Sequence, residues 1–448
     1  MENPGFKIHQ FEDKGLAHYS YAILSEGEIA LVDPARDPQP YYEFATLYDA
    51  RIVAVIETHP HADFVSSHLE IATGKDAKIY ASKLLGAAYK HEPFDDGDFF
   101  QLGKITLHAI NTPGHSPDSI TVLLKDEHGK EVAAFTGDTL FIGDVGRPDL
   151  RENVGNVTAK RDDLARQMYH STRQKLMLLP ENVLVYPSHG AGSLCGKGLS
   201  NANVSTIGAE KMSNTALQEM TEAQFVKFLT SDQPFVPKYF GYDVELNKSG
   251  APDYNPSVKK VPRYEAGYSF EKHALIVDAR PQTAFRKGHL PGAINLMDGL
   301  KFETWLGSII APEEKYYLLA ETEEALEKLI RKTAKIGYEL NLAGAVVANQ
   351  LGEETSPETD LGSFEQNPDS FTIVDIRNTG EVKTRQIFPN AISIPLPELR
   401  ERLREIPTDK PVMVHCAGGY RSAAGASIIR QEVKDQPVYD LSEAITKF

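Results

Sequence analysis

A multidomain α/β fold is predicted by three features of the sequence. Strand-like runs rich in β-branched residues alternate with helical patterns through the first half. A chain of 448 residues exceeds what one hydrophobic core keeps filling, which favours about two to four domains. One strand and the turn after it occur twice in the second half.

The apolar runs at 19–25, 29–33, 52–58, 120–124 and 133–136 read as strands. Helical patterns at 66–71 and 162–178 make this half a layered α/β domain, placed at 1–245. The Gly-, Pro- and polar-rich stretch 247–262 reads as a connection. After it, Leu275-Ile276-Val277-Asp278-Ala279-Arg280 is echoed by Thr372-Ile373-Val374-Asp375-Ile376-Arg377. The echo continues from Gly288-His289-Leu290-Pro291-Gly292-Ala293 to Gln386-Ile387-Phe388-Pro389-Asn390-Ala391. Two domains of one fold follow, at 246–355 and 360–448, linked through the polar stretch 352–369 that contains Glu353.

Composition narrows the class of partner. The hydrophobic fraction of 41% and the charged fraction of 25% are those of ordinary globular proteins. Lys plus Arg number 47 against 63 Asp plus Glu, and a net charge of -16 repels polyanions, so neither nucleic acid nor an anionic membrane is expected as partner. The first six residues lack a basic stretch and an apolar core, and no apolar run is long enough to span a bilayer; a cytoplasmic location is expected. The two cysteines, Cys195 and Cys416, lie far apart in Gly-rich settings, which is no disulfide framework and fits reduced thiols, reactive or merely buried.

The first candidate site gathers after strands. His59, His61 and Asp63 follow the run 52–56 directly; His115 lies in Thr112-Pro113-Gly114-His115, Asp138 in Thr136-Gly137-Asp138-Thr139, and His189 in Pro187-Ser188-His189-Gly190. Crevices at the carboxyl ends of strands are where α/β folds hold ligands. A single histidine is more often a satisfied core or surface residue than a ligand, but the ordered set is a metal-binding pattern. Together, His-x-His-x-Asp, Pro-Gly-His, Gly-Asp-Thr and Ser-His-Gly resemble the metallo-β-lactamase superfamily, which implies an αββα sandwich over the first half.

That superfamily commonly has a histidine directly after the Asp, serving a second metal, whereas this chain has Phe64, a ring with no lone pair to donate. What remains is similar to the persulfide dioxygenase branch. The resemblance implies one Fe(II) per chain held by His59, His115 and Asp138, a facial triad that leaves positions open for substrate sulfur and dioxygen. His61, Asp63 and His189 are then groups that orient the ligands, or else hold a second metal. Arg147, in Gly146-Arg147-Pro148-Asp149, reads as a bidentate partner of an acidic thiol substrate or as half of a fold-stabilising ion pair. Cys195 reads as a sulfur-carrying thiol with its pKa lowered by Lys197 and backbone amides, or as part of a loop that is Gly-rich for steric reasons.

The second candidate site is a strand ending in a thiol, Val412-Met413-Val414-His415-Cys416, then Ala417-Gly418-Gly419-Tyr420-Arg421-Ser422 and a helical stretch at 423–433. A short loop after a nucleophilic thiol turns backbone N–H groups and a helix N-terminus toward the sulfur, stabilising thiolate and persulfide alike. The motif Cys-x-x-Gly-x-Arg-Ser resembles the rhodanese family. It implies Cys416 as the sulfur carrier, loop residues Ala417, Gly418, Gly419, Tyr420 and Ser422 around it, and Arg421 as a fixed charge for an anionic acceptor. In the first copy the strand 316–320 runs instead into Glu321-Thr322-Glu323-Glu324, with neither thiol nor glycine loop, so that copy is a spacer, a docking surface or an oligomerisation element.

The domain order is similar to that of multidomain persulfide dioxygenase–rhodanese fusions of the CstB type. It implies oxidation of a low-molecular-weight persulfide, such as that of glutathione, coenzyme A or bacillithiol, by dioxygen to sulfite. Sulfur carried on Cys416 then converts sulfite to thiosulfate. The loop chemistry also permits the reverse, with thiosulfate charging Cys416. A zinc thioester hydrolase of glyoxalase II type with rhodanese-like binding domains stays open, as does a sulfur carrier with a structural metal. A homo-oligomer, dimer or tetramer, is expected.

Overall fold

The computed structural model describes residues 2–3, 5–150, 160–265, 267–348, 352 and 354–448. The chain divides into two compact units, Met1–Pro256 with Lys335–Gly337, and Ser257–Ala334 with Tyr338–Phe448.

The first unit is built on two sheets. One runs in chain order through Phe6–Asp13, His18–Ser25, Glu28–Val32, Arg51–Ile56 and Lys78–Ala81, antiparallel at first and parallel from Glu28–Val32 onward. The other has the order Leu184–Pro187, Glu131–Gly137, Ile120–Lys125, Ile105–Asn111 and Phe99–Leu102. Alternation along His18–Ser25 explains the packing: Tyr19, Tyr21 and Ile23 join Val122, Leu124 and Phe135 of the second sheet in the central core. Ala22, between them, faces the outer layer with Phe44 and Ile71 of the helices Gln39–Leu47 and His68–Lys75. On the far side, Met168 and Phe225 of the helices Arg161–Gln174 and Glu222–Thr230 cover Leu123, Ala134 and Val185. Helix, sheet, sheet and helix are therefore stacked as expected of an αββα sandwich. A strand covered on both faces needs apolar residues at every position, which is why 19–25 reads as a continuous run.

The stretch 247–262 is not an extended connection. It contains the end of the helix Phe240–Ser249 and the helix Tyr254–Lys260. The reason lies in Asn247, whose buried amide donates to the carbonyls of His61 and Phe64 at 2.9 and 2.8 Å and accepts from Ser66 N–H at 2.8 Å. The Asn247 amide thus serves the loop after Arg51–Ile56, while Ser249, Asp253, Lys259 and Lys260 of the stretch are exposed.

The second unit holds two parallel sheets, one for each copy of the repeat. The first has the order Arg263–Tyr264, Leu342–Val347, Tyr316–Ala320, Leu275–Asp278, Ile294–Asn295; the second Ile392–Ser393, Thr372–Asp375, Val412–His415, Val438–Asp440. The repeated Asp-x-Arg has one physical role in both. Arg280 grips Asp278 through Nε and Nη2 at 2.9 and 2.6 Å and donates to Gly288 O at 2.9 Å. Arg377 does the same with Asp375 at 3.0 and 2.6 Å and with Arg385 O at 2.9 Å. Each buried pair thus ties a strand end to the turn after the next helix. Within 352–369, Glu353 lies outside the described residues, and the helix Leu361–Gln366 begins at Asp360, whose side chain accepts from Ser363 N–H. No helix among the described residues is long and apolar enough to cross a membrane.

Candidate active sites

The strands Arg51–Ile56, Ile105–Asn111, Glu131–Gly137 and Leu184–Pro187 all end at one rim, and the loops leaving them carry the predicted ligands. His59, His115 and Asp138 are buried there, with ligand atoms all within 4.8 Å of one another. Asp138 Oδ2 stands 3.5 Å from His115 Nε2 and 3.8 Å from His59 Nε2.

Hydrogen bonds fix both tautomers. Thr58 Oγ1 donates to Asp33 at 2.8 Å, so its lone pairs accept from His59 Nδ1 at 3.0 Å, leaving the His59 Nε2 lone pair for the centre. His115 Nδ1 donates to the Arg147 carbonyl at 2.8 Å, with the same result. Burial pushes both imidazoles below their ordinary pKa, His59 well below, which keeps them neutral and able to ligate. Burial alone would raise Asp138, but the charge and hydrogen bond of His189, with His115 and His59, outweigh it and hold the carboxyl well below the usual carboxylate range. Asp138 Oδ2 is buried without a hydrogen-bond partner. A carboxylate oxygen left bare between two imidazole lone pairs is an arrangement that a bound cation completes, and this donor set fits such an ion.

The other predicted residues surround this triad. His189 bridges two carboxylates, Nδ1 at 2.8 Å from Asp138 Oδ1 and Nε2 at 2.7 Å from Asp63 Oδ2. Burial opposes its charge, but Asp138 and Asp63 together push its pKa up to about 10. His61 turns to Asp33, Nε2 to Oδ1 3.2 Å, and packs against the Phe64 ring with centroids 4.3 Å apart. Phe64 is buried against His18 as well, so the position after Asp63 is filled by stacked rings.

At two positions the structure favours one of the alternatives that the sequence leaves open. Arg147 is 1% exposed and spends its guanidinium on the protein: Nε and Nη2 on Asp149 at 2.7 Å each, Nη1 on Leu194 O and Phe235 O at 3.2 and 3.3 Å. Four of its five N–H groups are spent on the protein, and its carbonyl serves the site by accepting from His115. Gly146 beside it is required by closeness, since a Cβ there would lie 2.0 Å from Asp138 O. Cys195 is buried, and burial with the nearby carboxylates of Asp63 and Asp138 raises its thiol well above the ordinary value. Lys197 does not offset this, because its Nζ donates to Phe228 O and Ser231 O at 2.7 and 3.0 Å. With Asp63 and His189, Cys195 forms a second cluster of ligand atoms.

Sequence reasoning missed Asp33. It accepts from Thr58 N–H at 2.7 Å, Thr58 Oγ1 at 2.8 Å and Ser188 Oγ at 2.6 Å, tying the loops of His59 and His189 together. Its signal was an Asp closing the apolar strand Glu28–Val32. Also missed was a buried group of Glu57, Ser66 and His68: Ser66 Oγ donates to Glu57 at 2.8 Å, and burial pushes Glu57 up to about 8.

In the second unit, Cys416 caps the strand Val412–His415 and is buried. Gly419 N–H donates to its Sγ at 3.1 Å, and Sγ lies 3.6 Å from Ser422 Oγ. Gly419 has φ +97°, the left-handed turn that glycine permits, and the helix Tyr420–Glu432 starts directly after it, three residues earlier than predicted. Ala417 and Gly418 form the exposed rim. Arg421 pairs both Nη atoms with Glu381 at 2.6 and 2.7 Å and faces the Cys416 sulfur. The Tyr420 hydroxyl donates to Met297 O at 2.8 Å.

Fold and sites define a metallo-β-lactamase-fold protein with a metal cofactor, joined to rhodanese-like domains. The metallo-beta-lactamase superfamily model matches residues 13–189, and the rhodanese-like domain model matches 265–345 and 360–448. The mitochondrial persulfide dioxygenase ETHE1 of Bos taurus is 31% identical over 53% of this chain and 85% of its own length. A cytoplasmic hydroxyacylglutathione hydrolase of Arabidopsis thaliana is 32% identical over 38% of the chain and 63% of its own. A metallo-beta-lactamase from Staphylococcus aureus subsp. aureus COL, of known structure, is 32% identical with TM-score 0.68, over 76% of this chain and 99% of that one. The chain belongs to the persulfide dioxygenase family, as a fusion with rhodanese-like domains.

Proposed function

We propose that the chain is a persulfide dioxygenase and sulfurtransferase, with one Fe(II) held by His59, His115 and Asp138. The reaction is RSSH + O₂ + H₂O → RSH + SO₃²⁻ + 2 H⁺, on the persulfide of a low-molecular-weight thiol such as glutathione, coenzyme A or bacillithiol. Bound iron supplies the redox chemistry between dioxygen and the terminal sulfur. The chain's residues do the rest. Thr58 and the Arg147 carbonyl keep the two Nε2 lone pairs aimed at the centre. His189, held between Asp63 and Asp138, orients the carboxylate. Phe64 keeps an apolar ring where a ligand of a second metal would stand.

The observation that carries this reading is the bare Asp138 Oδ2 between two neutral imidazoles, with His189 in ion-pair reach of Asp63 and His61 of Asp33 beside it. In the hydrolase reading Asp63 and His189 hold a second ion; their 2.7 Å ion pair favours the single-iron reading.

Cys416 acts after oxidation. Its thiolate attacks the sulfane sulfur of RSSH, and RS⁻ leaves with the electron pair and takes the proton. Sulfite then attacks the outer sulfur of Cys416–S–S⁻, and the S–S bond breaks to give thiosulfate and the Cys416 thiolate. The Gly419 N–H stabilises the sulfur anion at each stage. Cys416→Ser tests this half: oxygen uptake is expected to persist while the product moves from thiosulfate to sulfite. An unchanged product ratio removes the transferase step.

A further inference from the structure

We propose that the cysteine-less rhodanese copy is the second half of the sulfur-transfer site, with Trp305 and Gln282 as positioning residues that hold the Cys416 loop. The proposal rests on the sulfur-transfer reading of Cys416 and replaces the view of the first copy as a spacer.

Interfaces between domains of one chain mix apolar and polar surface. Here the first copy reaches the active loop of the second with directed contacts on two sides. In front, the Trp305 ring lies under the Arg421 guanidinium, 5.4 Å from Cζ to centroid. From its own copy Arg421 is paired with Glu381, whose side chain is 35% exposed and can follow solvent. The indole face fixes the guanidinium plane without neutralising its charge, so the cation stays beside the sulfur. Tyr420, next to Arg421, is anchored on Met297 O, and Gly299 gives its ring room, since a Cβ there would come 2.6 Å from it.

Behind the loop, Gly419 rests on the turn 440–443 so closely that a Cβ would lie 2.9 Å from Glu443 N and from the Ser442 carbonyl carbon. Gln282 of the first copy closes that turn: its Nε2 donates to Asp440 Oδ2, and its Oε1 accepts from Ser442 Oγ at 2.9 Å. Ser442 N–H in turn donates to Asp440 Oδ1 at 2.8 Å. The turn supports the residue whose N–H meets the Cys416 sulfur, so one amide of the degenerate copy sets the depth of the sulfur pocket. This also accounts for a domain that keeps its Asp-x-Arg scaffold while lacking any nucleophile.

The test uses the full chain with Trp305→Ala, Trp305→Phe and Gln282→Ala. Sulfur transfer from thiosulfate to cyanide and the alkylation rate of Cys416 by iodoacetamide are each expected to fall about threefold to tenfold in Trp305→Ala and Gln282→Ala. Trp305→Phe restores most of the rate, and oxygen uptake on glutathione persulfide is unchanged in all three. Trp305 is the only tryptophan of the chain, so its emission is a direct reporter. It is expected to change when thiosulfate loads Cys416, and not to change in Cys416→Ser. Wild-type transfer and alkylation rates in both alanine variants, with emission blind to loading, overturn the proposal. If wild-type Cys416 accepts no sulfur from any donor, the transferase reading fails, and the iodoacetamide rates alone decide the positioning claim. Should Trp305→Ala not fold, Trp305→Phe and the Gln282→Ala rates decide it.

Discussion

His189 Nδ1 stands 2.8 Å from Asp138 Oδ1, while the other oxygen of that carboxylate faces His59 and His115. The same imidazole reaches Asp63 at 2.7 Å, so one side chain pairs with two buried acids and fixes how the Asp138 carboxylate is presented. In the proposed single-iron site this arrangement gives His189 the part of an orienting residue.

Replacing His189 by Ala or Gln is therefore expected to weaken metal binding about tenfold to hundredfold without abolishing it. Asp138→Ala, which removes a ligand, is expected to abolish both bound metal and oxygen uptake. Metal titration of the two variants against wild type checks the difference, and an equal loss in both would make His189 a ligand.

Arg147→Lys should destabilise the chain by about 3 kcal/mol, because it breaks a buried two-point ion pair and leaves Asp149 and two carbonyls short of donors. Thermal unfolding reads this directly. A raised KM for an acidic persulfide with unaltered Tm would return Arg147 to substrate binding.

Glu57 gives the pH prediction. Burial raises its folded pKa to about 8, above the unfolded value, so the unfolded chain loses this proton first as pH rises. Between pH of about 4.5 and 8 the native state binds the extra proton, and this group's contribution makes stability fall with rising pH. Glu57→Gln keeps an acceptor for Ser66 and removes the titration. It is expected to add on the order of 1–3 kcal/mol at pH 7 and to flatten the pH dependence of Tm in that range. Identical slopes for wild type and variant would show that Glu57 does not carry it.

The parts of this molecule legible in its sequence are those whose chemistry is local. A thiol before Gly-Gly and Arg-Ser, or His-x-His-x-Asp after an apolar strand, announces itself because neighbours in sequence are neighbours in space. The Asp-x-Arg repeat was visible for the same reason, its ion pair spanning two residues. What stayed hidden depends on distant partners. Arg147 looked free to meet a substrate because Leu194 and Phe235, which take its Nη1 donors, lie far along the chain. Cys195 looked activated by Lys197, and only burial beside Asp63 and Asp138 shows the reverse. The strand Ile105–Asn111, half-buried and alternating, gave a weaker signal than the doubly covered His18–Ser25. Asn247 sat in a stretch of turn-forming composition, yet its amide is spent on the carbonyls of the His61 loop.

The central claim is a single iron in a triad, and metal content with oxygen uptake on one anaerobically purified sample tests it most directly. One iron per chain, with oxygen consumed on adding glutathione persulfide and none on adding a glutathione thioester, is the predicted result. Two zinc ions per chain with thioester cleavage and no oxygen uptake would contradict it.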